Sequence, residues 1–94
     1  MGARENKVET YLKQQVLKTG GISRKWVSPS HAGVPDQIVI HKGNIWFVEV
    51  KTKSGVVSSA QEREHNRLRN HGANVIVVTG RDEVDHFITV LVNS

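Results

Sequence analysis

Ninety-four residues suffice for one modest hydrophobic core, and 37% hydrophobic against 23% charged residues is an ordinary globular balance. The absence of cysteine excludes a disulfide framework, a thiolate metal site and a cysteine nucleophile. Thirteen Lys and Arg against nine Asp and Glu give a net charge of +4, which leans towards polyanionic partners such as nucleic acid.

Along the chain, Val8, Tyr11, Leu12 and Val16 make a one-sided apolar stripe that predicts a helix over Lys7 to Thr19, ended by Gly20-Gly21. Glu9 lies on the border of that stripe, four residues before Lys13. Ile22 to Val27 reads as a strand, and Ser28 to Pro35 as a loop by its turn residues. Asp36 to His41 and Ile45 to Lys51 read as two strands joined by a tight hairpin at Lys42-Gly43-Asn44. A second helix opens at Ser58 or Ser59, each with a capping-box partner (Gln61 or Glu62), and stops at Gly72. Asn74 to Thr79, with Val75-Ile76-Val77-Val78 unbroken, predicts a strand buried on both faces. Asp82 is expected to cap a last helix whose face is Val84, Phe87, Ile88 and Leu91. The order α-β-β-β-α-β-α implies a mixed α/β fold, with an antiparallel meander and one parallel crossover pair in a small sheet flanked by helices.

Within this frame three charged residues converge. Strand alternation puts Glu49 and Lys51 on one face, one pleat apart, with Val50 on the other. Folding the hairpin back sets Asp36 opposite Glu49 if Lys42-Gly43 is the loop, opposite Lys51 if Gly43-Asn44 is, and opposite Val50 if the loop has three residues. In each register Asp36 lies beside the Glu49-Lys51 end, with cross-strand neighbours about 5 Å apart. Two carboxylates that close repel unless a cation or a shared proton intervenes. Mg²⁺ takes carboxylate oxygens and keeps waters for a phosphate, and Lys51 would then orient the water or offset charge on a pentacovalent phosphate. This is the equipment of phosphodiester hydrolysis. Val-Glu-Val-Lys by itself is also a common edge-strand pattern; the meeting of the two fragments is what lifts it.

Pro35-Asp36 followed after twelve residues by Glu49-Val50-Lys51 resembles the PD-(D/E)xK nuclease signature. His31-Ala32-Gly33-Val34-Pro35-Asp36, Gly43, Trp46 to Lys51, Gly55, Ser58, Gln61, Gly72 and Val75 to Val78 narrow the resemblance to the VRR-NUC, or virus-type replication-repair nuclease, domains. It runs from Val8 to Val92 and is similar to the stand-alone phage and bacterial forms. The resemblance implies a restriction-endonuclease-like core, with residues 1–94 as one nuclease domain. It implies Asp36 and Glu49 as metal-binding acids, the Val50 carbonyl as a further ligand and Lys51 as the catalytic lysine. It also implies Glu9 on the first helix as an acid reaching the metal directly or through water, and Gln61 as the glutamine near the scissile phosphate. From the residues alone Glu9 is equally a flank partner of Lys13, and Gln61 a capping-box member.

The expected activity is a Mg²⁺-dependent DNA endonuclease, with Mn²⁺ as a substitute, acting in phage or bacterial replication, repair or recombination. The resemblance implies 5′-phosphate and 3′-hydroxyl products. Lys53, Arg24, Lys25, Arg63, Arg67 and Arg69 are the candidate phosphate contacts; no base-reading motif stands among them, so selectivity for branched or four-way-junction DNA is expected. Symmetric cutting of two strands calls for a homodimer, with the last helix and the Trp-bearing strands as its seam. A resolvase or restriction-like relative, or a non-catalytic binding or assembly module of the same fold, are the competing readings. The histidines lack the i, i+4 spacing of a zinc motif, and no phosphate-binding P-loop or Gly-x-Ser-x-Gly occurs, so no organic cofactor is expected. No apolar run approaches the roughly 20 residues of a membrane span, and Met1 to Asn6 lack the apolar stretch of a signal peptide. An intracellular setting, in a bacterium or a phage-infected host, is therefore expected.

Overall fold

The computed structural model describes residues 3–94, with side chains from Lys7 onwards; Met1-Gly2, which open the segment read above for a leader, lie outside it. Seven elements follow in order: α1 (Ala3–Lys18), β1 (Ile22–Lys25), β2 (Gln37–His41), β3 (Asn44–Lys51), α2 (Ser59–Asn70), β4 (Asn74–Thr79) and α3 (Gly80–Val92). The four strands form one mixed sheet in the order β1-β2-β3-β4: β1, β2 and β3 are an antiparallel meander, and β3 runs parallel to β4. This is the expected α/β arrangement, with α2 making the crossover between the parallel strands.

The apolar stripe of α1 buries Val8, Leu12 and Val16 against Val39, Val48, Val50 and Val78 of the sheet and Val84, Phe87 and Leu91 of α3. At about 1.5–3 kcal/mol per buried aliphatic or aromatic side chain, this cluster is the main source of the fold's stability. Trp46 meets Phe87 edge-on at 5.5 Å, and Trp26 tilts against Phe47 at 5.2 Å, so both indoles pack within the molecule. The even-numbered residues of β3 thus face α1 and α3, which leaves the odd-numbered Phe47, Glu49 and Lys51 for the opposite face, beside α2.

Three expectations need correction. β1 stops at Lys25 rather than Val27, although one further ladder bond runs from the Trp26 N–H to the Asp36 carbonyl at 2.8 Å. The unbroken apolar run of β4 is not buried on both faces: β4 is an edge strand in which only Val78 is fully buried. Its run is apolar because α2 and α3 flank it, yet its outer side has no neighbouring strand. Asp82 does not cap α3. β4 passes directly into that helix at Gly80, and Glu83 reaches back to accept from the Thr79 N–H at 2.9 Å, while Asp82 sits in the first turn, 3.5 Å from Lys53.

Candidate active site

The hairpin between β2 and β3 decides which charged groups meet. His41 pairs with Asn44, leaving Lys42-Gly43 as a two-residue loop, and both residues have positive φ (48° and 83°). That is a type I′ turn, whose twist suits a two-residue hairpin. Of the three registers open from sequence, this one places Asp36 opposite Glu49, one step beyond the Gln37–Val48 pair. The Asp36 carboxylate then accepts from the Val50 N–H at 3.0 Å, which pins it to the end of β3.

Glu49 is 1% exposed. Its Oε2 lies 3.3 Å from Lys51 Nζ and accepts from Gln61 Nε2 at 3.1 Å. Burial, and next the Asp36 carboxylate, push its pKa up to about 7, against the downward pull of the Lys51 ammonium. Asp36, Glu49, Lys51 and Gln61 therefore share one corner of the molecule. The structure brings all four together.

Gln61 forms the capping box and also reaches Glu49. Its Oε1 accepts from the Ser58 N–H at 2.9 Å while Ser58 Oγ accepts from the Gln61 N–H at 3.1 Å, a complete capping box. With its oxygen committed to the cap, the amide has its nitrogen free for Glu49. The first turn of α2 is itself seated by Gly33: at φ +90° the loop passes so near that a Cβ there would lie 2.5 Å from the Ala60 carbonyl oxygen.

Glu9 is mostly buried and pairs with Lys13 at 3.2 Å and Lys25 at 3.5 Å. Among the described residues no three His, Cys, Asp or Glu gather as a metal-binding cluster, so Glu9 does not join Asp36 and Glu49 in one. It does lie towards their end of the sheet, since Lys25 pairs with Gln37 and Trp26 bonds to Asp36. Arg24, Lys25, Lys53, Arg63, Arg67 and Arg69 are all exposed. Some already have partners: Arg67 pairs with Glu64 at 2.8 Å and Arg69 reaches the Val75 carbonyl at 3.3 Å.

One residue at this corner escaped sequence reasoning. His65 is 1% exposed, and its Nε2 faces Glu49 Oε1 at 3.8 Å. Neither atom has a hydrogen-bond partner. Burial, and next the Arg69 charge, lower the His65 pKa. The available signal was its position four residues after Gln61, hence one turn along the same face of α2; histidine spacings alone could not show it.

Comparisons with known proteins bear on the family and the fold. The model of the VRR-NUC domain family matches residues 7–82. A protein named "Putative nuclease p44", from Acyrthosiphon pisum secondary endosymbiont phage 1, is 44% identical over 80 residues, covering 84% of this chain and 86% of its own length. A solved structure described as a VRR_NUC domain superposes with a TM-score of 0.86 at 39% identity, covering 94% of this chain and 97% of that one. Another, described as a VRR_NUC domain protein, reaches a TM-score of 0.75 at 19% identity over 99% and 91% of the two chains, which extends the likeness of fold.

Proposed function

The chain belongs to the VRR-NUC domain family and is a nuclease; from that premise we propose that it is a divalent-metal-dependent endonuclease that hydrolyses phosphodiester bonds in branched or four-way-junction DNA. The observation that carries this reading is the meeting of Asp36, Glu49 and Lys51 on one sheet face, with Gln61 closing on Glu49 from α2.

The donor set suits a hard cation. Burial, and next the Asp36 carboxylate, raise the proton affinity of Glu49, and a divalent ion would offset that buried, crowded charge as a proton does. Asp36, Glu49 and the Val50 carbonyl would hold Mg²⁺, or Mn²⁺ in its place, with Glu9 reaching it through water. When bound, the ion supplies Lewis acidity and acidifies a water molecule. Lys51 stands 3.3 Å from Glu49, where it would orient the attacking water and offset negative charge developing on the phosphate. Gln61, fixed by its own capping box, holds Glu49 on one side and faces the phosphate on the other. Products would end in 5′-phosphate and 3′-hydroxyl groups.

Arg24 and Lys25 on β1, Lys53 after β3, and Arg63, Arg67 and Arg69 on α2 serve as phosphate contacts in this reading. Such contacts follow backbone shape rather than base sequence, which favours structure-selective cutting. A homodimer would supply two sites for the two strands. The setting is the interior of a bacterial or phage-infected cell, in replication, repair or recombination.

A cleavage panel tests the proposal: single-stranded, duplex, flap and four-way-junction DNA, each with Mg²⁺, Mn²⁺ or chelator, for wild type, Asp36→Ala and Lys51→Ala. The expected result is metal-dependent cutting of branched DNA, lost by about 10²-fold or more in both variants, on the order expected when a group aimed at transition-state charge is removed. DNA binding without cutting on every substrate would point instead to a non-catalytic module.

A further inference from the structure

Glu49 is buried, yet only one of its oxygens is satisfied: Oε2 has Lys51 and Gln61, and Oε1 has none. The atom facing Oε1 is His65 Nε2, equally buried and equally without a partner. A buried donor or acceptor left unmet is destabilising, so two complementary orphans that point at one another call for an explanation. Their separation of 3.8 Å is within about 1 Å of a direct N–H···O contact. His65 is also anchored: it lies on α2 one turn beyond Gln61, and the helix start is held by the capping box and by Gly33.

We propose that His65 is a positioning residue of the active site, which donates from Nε2–H to Glu49 Oε1 and thereby fixes the carboxylate plane so that Oε2 stays directed at Lys51, Gln61 and the proposed cation. α2 then grips Glu49 from both ends, through Gln61 on one oxygen and His65 on the other. Outer partners of this kind orient a ligating carboxylate, and their loss typically costs about 10–100-fold in metal affinity or activity. The inference rests on the reading of Glu49 as a metal ligand.

The test compares Mn²⁺ binding by titration calorimetry, with thermal melting of each protein alongside, for wild type, His65→Leu, His65→Gln and His65→Asn. Gln carries its amide nitrogen the same number of bonds from Cα as imidazole Nε2; Asn falls one bond short. The expected result is Mn²⁺ affinity reduced about 10–100-fold in His65→Leu and His65→Asn, restored to within about threefold in His65→Gln, and a matching change in kcat. Should His65→Leu not fold, the Gln–Asn pair gives the same comparison. Equal affinity in all variants with normal binding by wild type overturns this inference alone. Failure of wild type to bind Mn²⁺ overturns the metal reading and this inference with it. Nitrogen coupling to bound Mn²⁺ in pulsed electron paramagnetic resonance, lost in His65→Leu, would make His65 a direct ligand and overturn the positioning role.

Discussion

At Glu49 a side chain is kept in a place that the fold alone would not choose for it. A carboxylate 1% exposed beside a second carboxylate holds its proton to about pH 7, whereas in the unfolded chain it loses it near the ordinary value of 4.5. The folded state therefore binds more protons than the unfolded one between those values, and stability falls as pH rises through that window. Above pH 7 the metal-free protein carries the full penalty of a buried charge; below 4.5 it carries none. Metal-free Glu49→Gln is accordingly expected to melt above wild type at about pH 8, by about 4–8 °C for each kcal/mol relieved in a domain of this size. The difference should vanish near about pH 4. Differential scanning calorimetry in chelator checks it, and a wild type that melts higher on the alkaline side would contradict the sign. Under the proposed metal-dependent reading, metal binding and with it cleavage would rise with pH through neutrality, because the cation must displace this proton.

Among the elements, α2 is where local sequence rules and the site are the same thing. Its capping box orients Gln61, its next turn presents His65, and the loop residue Gly33 sets where the helix begins. A Cβ at Gly33 would collide with backbone, not with a side chain that could swing away, so Gly33→Ala must displace the first turn of α2 or the loop. Gly72 separates this collision from simple backbone strain: it has φ +91°, and a Cβ added there would meet nothing within 4 Å. Both variants should lose about 1–2 kcal/mol of stability from a left-handed non-glycine residue. Only Gly33→Ala should also lower kcat, by roughly tenfold or more, since misplacement by about 1 Å can cost up to 10²-fold. Melting curves together with single-turnover cleavage distinguish the two; equal activity in both variants would refute the coupling.

For the whole molecule, the sheet leaves β1 and β4 as its two edges, and apolar side chains remain in view: Leu17 is 71% exposed beside β1, and Ile45 47% exposed on β3 next to β4. Edge strands with apolar neighbours invite pairing with another chain. The proposed homodimer is expected to appear in sedimentation equilibrium at micromolar concentration, and a monomer throughout that range would count against it. Among the described residues no helix is long and apolar enough to cross a membrane.

Much of this arrangement is legible in the linear chain. Helix α1 follows from the spacing of Val8, Tyr11, Leu12 and Val16, the hairpin from Lys42-Gly43-Asn44, a capping box from Ser58 with Gln61 or Ser59 with Glu62, and the convergence of Asp36, Glu49 and Lys51 from strand alternation. These depend on interactions between near neighbours or on a period of two, so the residues themselves declare them. Other features became visible only in three dimensions. The two-residue turn, one of three possible loops, selected the register that sets Asp36 against Glu49. The edge position of β4 depended on what lies beside it, and so could not follow from an apolar run. Last, the meeting of His65 with Glu49 joins residues on separate elements through the packing of α2 on the sheet, a contact that no local period encodes because burial and orientation across the core decide it.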